Sequence, residues 1–300
     1  MRGPYGDGNP ASHEAAYSEL HTKAEFCGNC HNVIHPANNF RIEDTYTEWK
    51  NSPYAEKGIV CQDCHMMPVE TAIKTALTMT RQDLPGKASP MGPPRKTVFS
   101  HDFVGGNFTV TRLLGDERHA SMAEARLKSA AKLTLSAPDN SEPGGKIPIK
   151  VDVYNAAAGH NLPTSLTETR QMWLMVEATA SDGLSLFSTG IPDPKGDLPE
   201  DTPIFGSVAL DAEGKPTILP WKMARLGTTK TIPPKTTVET DFTFSVPNDT
   251  KGPVLIKASL MYRSLSQRLA DSLLGGAAIR VPLVEMAAAS RTVNLSRQGR

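Results

Sequence analysis

Apolar and polar positions alternate along the second half of this chain. From residue 133 onward, apolar or β-branched side chains recur at every second position, in runs that Pro, Gly, Asn and Asp residues separate. A period of two is typical of strands that bury one face, and turn residues between such strands favour antiparallel pairing. The pattern therefore predicts an antiparallel β-sandwich. The predicted strands are residues 133–136, 147–154, 172–180, 237–246, 255–262 and 278–283.

The first 120 residues show little of this periodicity. Short helical patterns cover residues 13–26 and 45–52, and the segment 82–94 is rich in Gly and Pro. A segment with so few regular apolar positions buries little side chain by itself. We therefore expect the core of this half to come from something other than its own side chains.

The change of pattern near residue 120 predicts two domains. A chain of 300 residues exceeds the size at which a single core usually keeps growing. We predict an α+β multidomain protein, with a loop-rich domain of short helices at residues 1–120 and the β-sandwich at 121–300. A short helix at 122–131 leads the second domain, and a helical insertion at 266–274 separates its last two strands.

The cysteines of this chain form two copies of one motif. Cys27-Gly-Asn-Cys30-His31 and Cys61-Gln-Asp-Cys64-His65 use all four cysteines, and each pair is followed directly by a histidine. Two thiols three positions apart lie on the same side of a helical turn, where each can form a thioether with a haem vinyl group. The histidine then brings its imidazole to the iron as the proximal ligand. The motifs predict two covalently attached haem c groups in residues 1–120.

Three other interpretations compete for these cysteines. Two Cys-x-x-Cys pairs are also found in four-thiolate zinc sites, in iron–sulfur sites and in redox-active disulfides. A zinc site has no need of a histidine directly after both pairs, whereas covalent haem requires one each time. Disulfides within the pairs would close very small loops and constrain little unfolded-chain entropy. The two histidines therefore favour haem.

Charge and hydropathy limit the classes of partner and the cellular locations that we expect. The net charge is zero, and the first 125 residues hold 12 Lys and Arg against 15 Asp and Glu, so nucleic acid is not expected as a partner. The apolar stretch 269–289 is interrupted by Asp271, Arg280 and Glu285, so we expect no membrane span. The first ten residues lack a signal-peptide pattern. Because bacteria attach haem c outside the cytoplasmic membrane, we expect a mature exported form, periplasmic or at the cell surface.

The second axial position of each iron needs a ligand from elsewhere in the chain. Six histidines remain after His31 and His65, at positions 13, 21, 35, 101, 119 and 160. His101 lies in a loop-like stretch, and His160 lies between two predicted strands, where a sandwich loop can reach the other domain. Both are also compatible with ordinary turn histidines that bond locally. Methionines such as Met79 and Met91 are more often core residues than ligands, so we expect bis-histidine iron.

Several segments together resemble bacterial multihaem cytochrome c proteins, in which a haem-binding half precedes an immunoglobulin-like sandwich. The similarity lies in Glu48-Trp49, Ser52-Pro53, Gly58, the second cysteine motif with Met66, Ser100-His101-Asp-Phe103, Gly159-His160-Asn-Leu-Pro163-Thr164 and Arg170-Gln-Met-Trp173-Leu174. The resemblance implies that His101 and His160 are the distal ligands. Relatives often carry further haem motifs upstream, so additional haems are expected on a preceding segment or a partner chain, with His13 as a candidate ligand for one of them.

These observations predict an electron-transfer protein with two low-spin haems and redox partner proteins, other cytochromes among them. A multihaem reductase or oxidase acting on a small nitrogen or sulfur compound is the alternative. It requires an open haem iron with a nearby proton-handling side chain, for which Tyr54, Tyr46 and Arg41 are the candidates. A third possibility, compatible with the first, is a haem-bearing subunit of an oligomer or a larger cytochrome assembly.

Overall fold

A computed structural model describes residues 1–275 and 279–296 of the chain. Its first part is made of short helices joined by loops, with two-stranded ladders between them. The longest helix before residue 100 covers ten residues. The helices are α1 (Glu25–Gly28), α2 (Thr45–Lys50), α3 (Pro53–Glu56), α4 (Gln62–His65), α5 (Val69–Thr78), α6 (Phe108–Leu113) and α7 (Glu117–Ala130), with a 3₁₀ turn at Glu19–Thr22. The short strands are β1 (Arg2–Gly3), β2 (Ala16–Tyr17), β3 (Val33–Ile34), β4 (Arg41–Glu43), β5 (Gly86–Lys87) and β6 (Pro94–Arg95).

The second part consists of two sheets. The strands are β7 (Ala131–Ser136), β8 (Asn140–Ser141), β9 (Lys146–Asn155), β10 (Gln171–Ala180), β11 (Ser185–Thr189), β12 (Ile204–Leu210), β13 (Pro216–Thr217), β14 (Arg225–Lys230), β15 (Thr237–Ser245), β16 (Val254–Arg263) and β17 (Val284–Leu295). A 3₁₀ turn at Pro220–Lys222 and helix α8 (Gln267–Leu274) complete the list. One sheet has the order β15-β9-β7, and the larger one has β13-β12-β10-β16-β17-β8, with β11 beside β10 and β14 beside β12. Apart from β17 and β8, the pairs of these two sheets are antiparallel.

The core of the second part lies between these two sheets. Every second residue of β9 is buried, and Ile147, Val151 and Val153 are fully inaccessible to solvent. They belong to the same buried cluster as Met172 and Leu174 of β10 and the apolar residues of β16. Burial of each such side chain stabilises the fold by about 1.5–3 kcal/mol. The period of two in the sequence therefore marks the strand faces that meet in this core.

The two parts also contact each other directly. Phe40, from the β3–β4 hairpin, packs with Ala209 and Met223 of the second part. The Asn38 side-chain amide donates to the Met223 carbonyl at 2.7 Å. Helix α7 crosses the predicted domain boundary at residue 120 and adds Ala120, Ala123 and Leu127 to the sandwich-side core. The boundary itself stays a prediction, but the halves are joined by helix and side-chain contacts.

The strand predictions at 133–136, 147–154, 172–180, 237–246 and 255–262 are confirmed to within a few residues, as are the helices at 45–52, 122–131 and 266–274. The α+β class is confirmed, whereas the immunoglobulin-like topology and the dihaem character of the first domain stay predictions. The helix predicted at 13–26 is wrong. Leu20 and Phe26 are each more than two-fifths exposed, so no buried face supports a long helix there.

The last predicted strand is also wrong. Residues 279–283 are not extended into the sheet, and Ala278 lies outside the described residues. Pro282 has no N–H to give to a ladder, and pairing with β16 begins at Val284, opposite Tyr262. Helices α5 and α6 and strands β11, β12, β14 and β17 were not predicted from the sequence. Among the described residues, no helix is long and apolar enough to cross a membrane.

Candidate functional site

Each cysteine motif closes one helical turn. The His31 N–H donates to the Cys27 carbonyl at 2.9 Å, and the His65 N–H donates to the Cys61 carbonyl at the same distance. These four-residue bonds place the first cysteine and the histidine of each motif one turn apart. The four cysteines are free thiols, as thioether formation requires. The local backbone is the one that the sequence predicts for haem attachment.

The two motifs lie side by side. The thiol of Cys61 lies beside that of Cys27, and its influence lowers the pKa of Cys27 to about 7 despite burial. The neighbouring Cys27 thiol, together with burial, raises the pKa of Cys61. Gln62 ties the second motif to the segment before the first, since its Nε2 donates to the Lys23 carbonyl at 2.8 Å. Two groups attached at these motifs would therefore be neighbours.

His65 and His160 face each other across a gap. Their rings are nearly parallel, with an interplanar angle of 18° and 6.2 Å between centroids. His65 comes from helix α4 of the first part, and His160 comes from the loop between β9 and β10. The structure thus brings together the predicted proximal ligand His65 and the predicted distal ligand His160, across the junction of the two parts.

The Nδ1 atoms of both histidines form hydrogen bonds. His65 Nδ1 bonds the Val104 carbonyl at 2.7 Å, and His160 Nδ1 bonds the Asn161 carbonyl at 2.9 Å. A carbonyl accepts only, so each Nδ1 carries the proton and each Nε2 carries a lone pair. Burial lowers the pKa of His65 to about 4, helped by the Arg126 charge, and burial also lowers the pKa of His160. Both imidazoles are neutral at pH 7, the state that binds a metal.

The separation of these rings fits a metal atom between them. Two bonds of about 2 Å between an imidazole nitrogen and a metal, plus about 1 Å from each nitrogen to its ring centre, give about 6 Å between centroids. Within the described residues, neither Nε2 has a hydrogen-bond partner. The four free thiols, the fixed tautomers and this spacing together fit haem c at the second motif.

The loop that carries His160 is held from both sides. The fully buried Asn155 side-chain amide donates to the carbonyls of His160 and Ile232, at 2.9 and 3.0 Å. From the helical part, Glu48 Oε2 accepts from the Asn161 N–H at 3.1 Å and from the Thr164 hydroxyl at 2.6 Å. Burial raises the pKa of Glu48 to about 7. These bonds fix His160 relative to both parts of the chain.

The first motif has different surroundings. The His31 side chain is 60 % exposed, and its Nδ1 lies 3.5 Å from Glu43 Oε1. Glu43 is buried and accepts from the hydroxyls of Thr45 and Ser165. The bond with this carboxylate raises the pKa of His31. No second histidine ring stacks on His31 among the described residues.

Among the described residues, no ring contact joins the other candidate histidines to His31 or His65. His101 is exposed and packs edge-on against Phe103 at 5.8 Å between centroids, on the segment that runs behind His65. His13 is exposed, and its Nδ1 bonds the Glu14 carbonyl. His35 follows a strand, so it does not continue a helix from His31. The ligand roles of His101 and His13 stay predictions.

The residues considered for an open enzyme site have structural partners. The Tyr54 hydroxyl is buried and donates to the Ala76 carbonyl at 2.6 Å. Arg41 Nη1 donates to Asn32, Asp44 and Thr47. The Tyr46 ring lies against Gly28, where a Cβ would come 2.8 Å from the ring. None of the described side chains forms a cluster of three or more ligating residues typical of zinc.

The sequence did not single out Glu43, Val104 or Asn155, and it noted Glu48 only as part of the resemblance. Each acts through a contact between residues far apart in the chain, such as Glu48 with Thr164. A buried carboxylate looks the same in sequence as an exposed one.

Comparison with solved structures identifies the fold. The penta-heme cytochrome c552 from Thermochromatium tepidum matches 93 % of this chain and 58 % of its own, at 20 % sequence identity and a TM-score of 0.60. The CARDB domain of the PF1109 protein from Pyrococcus furiosus, in complex with di-metal ions, matches 55 % of this chain and 87 % of its own, at 11 % identity and a TM-score of 0.25. A mutant β-glucosidase from Listeria innocua matches 56 % and 16 %, at 10 % identity and a TM-score of 0.20.

No family model matches the chain, and no curated protein matches it. The chain spans about 58 % of the length of the penta-heme cytochrome. At this level of identity the likeness concerns the fold alone. The chain has a fold like that of a multihaem cytochrome c.

Proposed function

We propose that this protein transfers electrons through two covalently attached haem c groups, one at Cys27, Cys30 and His31 and one at Cys61, Cys64 and His65. The observation that carries the proposal is the pair of parallel rings of His65 and His160, 6.2 Å apart with their Nε2 atoms free. A haem iron that took both imidazoles as ligands would keep no position open for a substrate. Such a site is suited to electron transfer rather than to catalysis at the iron.

Some residues of the second site would hold the haem, and others position those residues. Cys61 and Cys64 would hold the porphyrin, and His65 and His160 would hold its iron. The haem supplies a one-electron iron couple. The carbonyls of Val104 and Asn161 keep the proton on each Nδ1, so both rings present a lone pair in either redox state. Asn155 and Glu48 hold the His160 loop, so little has to move when the charge of the site changes.

Contact between the motifs supports electron exchange within the chain. Because the Cys27 and Cys61 thiols lie close together, the two haem groups attached there would be neighbours. His101 remains our candidate for the distal ligand of the first site, and His13 for a haem beyond this chain. We also propose redox partner proteins, other cytochromes among them, an exported location in the periplasm or at the cell surface, and a possible place in a larger assembly.

Spectroscopy of the holoprotein tests this function. The protein is produced with a haem c maturation system, and its haem content is compared with that of Cys27→Ala/Cys30→Ala and Cys61→Ala/Cys64→Ala variants. We expect two covalent haems in the parent and one in each variant. We also expect low-spin absorption and paramagnetic resonance spectra that carbon monoxide and cyanide leave unchanged. A high-spin haem that binds these ligands in the parent protein would favour the reductase or oxidase alternative.

A further inference from the structure

The two proximal histidines share a sequence motif but have different acceptors at Nδ1. His65 Nδ1 donates to the Val104 backbone carbonyl at 2.7 Å. His31 Nδ1 lies 3.5 Å from the carboxylate of Glu43. A carbonyl offers a partial charge, whereas an ionised carboxylate offers a full one. The difference in acceptor charge therefore falls on the two residues that are expected to hold iron.

Glu43 is built into the junction between the two parts of the chain. It is 8 % exposed, its Oε1 accepts from the Thr45 hydroxyl at 2.5 Å, and its Oε2 accepts from the Ser165 hydroxyl. Thr45 belongs to helix α2, and Ser165 belongs to the loop that carries His160. The carboxylate is thus held by neutral hydroxyls, and His31 is its cationic or proton-donating partner.

The contacts of Glu43 are those of a carboxylate. Its Oε1 accepts from the Thr45 hydroxyl and its Oε2 from the Ser165 hydroxyl, and Oε1 also lies 3.5 Å from His31 Nδ1. The nearby Asp44 carboxylate is paired with Arg41 at 3.1 Å and does not contact His31. Among the described residues, Glu43 is therefore the negative charge that acts on the His31 ring.

A carboxylate behind a ligating imidazole strengthens it as an electron donor. Withdrawal of the Nδ1 proton toward the carboxylate raises the basicity of Nε2, and a negative charge near the iron favours its more positive, oxidised state. Burial makes this effect larger, because the charge is poorly screened by water. The Val104 carbonyl exerts the same kind of effect on His65 with a smaller charge.

We propose that Glu43 lowers the reduction potential of the haem site at Cys27, Cys30 and His31 below that of the site at Cys61, Cys64 and His65. This proposal rests on the proposed function, since it assumes that both motifs carry haem. Glu43 acts as a positioning and charge-supplying residue behind the ligand. The two sites then differ in potential although their attachment motifs are the same, and the site of lower potential is the one that loses its electron more readily.

Exposure of His31 would shift the potential in the same direction, so the test has to isolate Glu43. Glu43→Gln keeps the size and a hydrogen-bond acceptor for His31 but removes the charge. Asp44→Asn removes one charge from the next residue without touching His31 and serves as the matched control. Redox titrations of the holoproteins are followed by absorption, and paramagnetic resonance confirms that both haems stay low-spin.

We expect two midpoint potentials in the parent, and Glu43→Gln should raise the lower one toward the higher one. Asp44→Asn should shift either potential much less. If Glu43 served only to orient the ring, Glu43→Gln would leave the lower potential where it is, and that result would overturn the proposal. A shift of the higher potential alone would also overturn it.

Ser165→Ala gives a second test if Glu43→Gln does not fold. Loss of the Ser165 hydroxyl leaves Glu43 with one donor fewer, so its carboxylate becomes a stronger acceptor for His31. The lower midpoint potential should then fall further, the opposite of the effect of Glu43→Gln. An unchanged or raised potential counts against the proposal. Absence of a second haem in the parent would instead refute the proposed function, so the two failures are distinguishable.

Discussion

The two cysteine motifs of this chain are alike in sequence and unlike in their surroundings. His65 lies between the two parts of the molecule, with its Nδ1 on a backbone carbonyl and its ring facing His160. His31 lies at the edge, 60 % exposed, with its Nδ1 beside a buried carboxylate. The motif defines how a haem is attached. The rest of the chain, and the β-sheet half in particular, defines what each site can do.

The difference between the two motifs shows how the second half of the chain contributes to each of them. Its loop at 159–165 supplies His160 to one motif, and through Ser165 it also contacts Glu43 beside the other. The hydroxyls of Thr45 and Thr164 lie 2.8 Å apart in the same junction. A single loop therefore reaches both sites, and changes in that loop should be felt unequally by them.

Replacement of the cysteines should show the largest difference in stability between the two motifs. Cys61→Ala/Cys64→Ala should lower the free energy of unfolding by several kcal/mol, because the lost group would fill the space between the two parts. Cys27→Ala/Cys30→Ala should cost much less, since Cys30 and His31 are exposed. Urea denaturation of the two holoproteins, followed by circular dichroism, measures both. Equal losses would remove the distinction between a central and a peripheral site.

Removal of Glu48 should loosen the second site and leave the first one intact. Glu48→Ala leaves the Asn161 N–H and the Thr164 hydroxyl without their acceptor, which should lower the free energy of unfolding by about 2 kcal/mol. The same variant should let carbon monoxide bind a fraction of one haem, because His160 is less firmly held. Glu56→Ala, on an exposed position of helix α3, is the control and should do neither. A Glu48→Ala protein that stays closed to carbon monoxide would show that the sheet side alone positions the loop.

The pH dependence of stability should carry the signature of Glu48. Burial raises its pKa from 4.5 to about 7, so the folded protein binds this proton more tightly than the unfolded chain does. The stability that it contributes is present below about pH 4.5 and is lost as the pH rises through about 7. The free energy of unfolding of the parent, measured relative to that of Glu48→Gln, should fall by about 2 kcal/mol over that range, after allowance for partial solvent screening. Denaturant titrations at several pH values measure it, and a constant difference would mean that Glu48 is ionised at all of them.

The sequence predicts several of the strands that bury one face, although it missed β17, whose burial also alternates. β9, β10 and β16 alternate because their inward residues meet in a common core, and those strands were predicted nearly to their ends. β14 was missed because each of its residues is exposed and leaves no alternation to detect. The segment around 13–26 was overpredicted as a helix because a helical pattern needs a partner surface, which its apolar residues lack.

The candidate site divides in the same way. The cysteine motifs could be recognised in the sequence, because thioether chemistry requires a fixed local spacing, and the haem attachment that they predict stays a prediction. His160 was favoured by its place between strands and by a family resemblance, and its ring does face His65. Glu43, Val104 and Asn155 could not be found, since their roles depend on contacts across the junction that have no local pattern. The residues of a binding motif are adjacent in sequence, whereas the residues that position it and set its charge come from distant parts of the chain.

The ligation of the second site is the central claim, and His160→Ala tests it most directly. Paramagnetic resonance of the oxidised holoprotein should show one haem converted from low-spin to high-spin, and added imidazole should restore the low-spin signal by occupying the vacated position. His101→Ala, measured in parallel, should leave that haem unchanged. If the His160→Ala spectrum matches the parent, the sandwich loop does not supply an iron ligand, and the account given for the second motif is wrong.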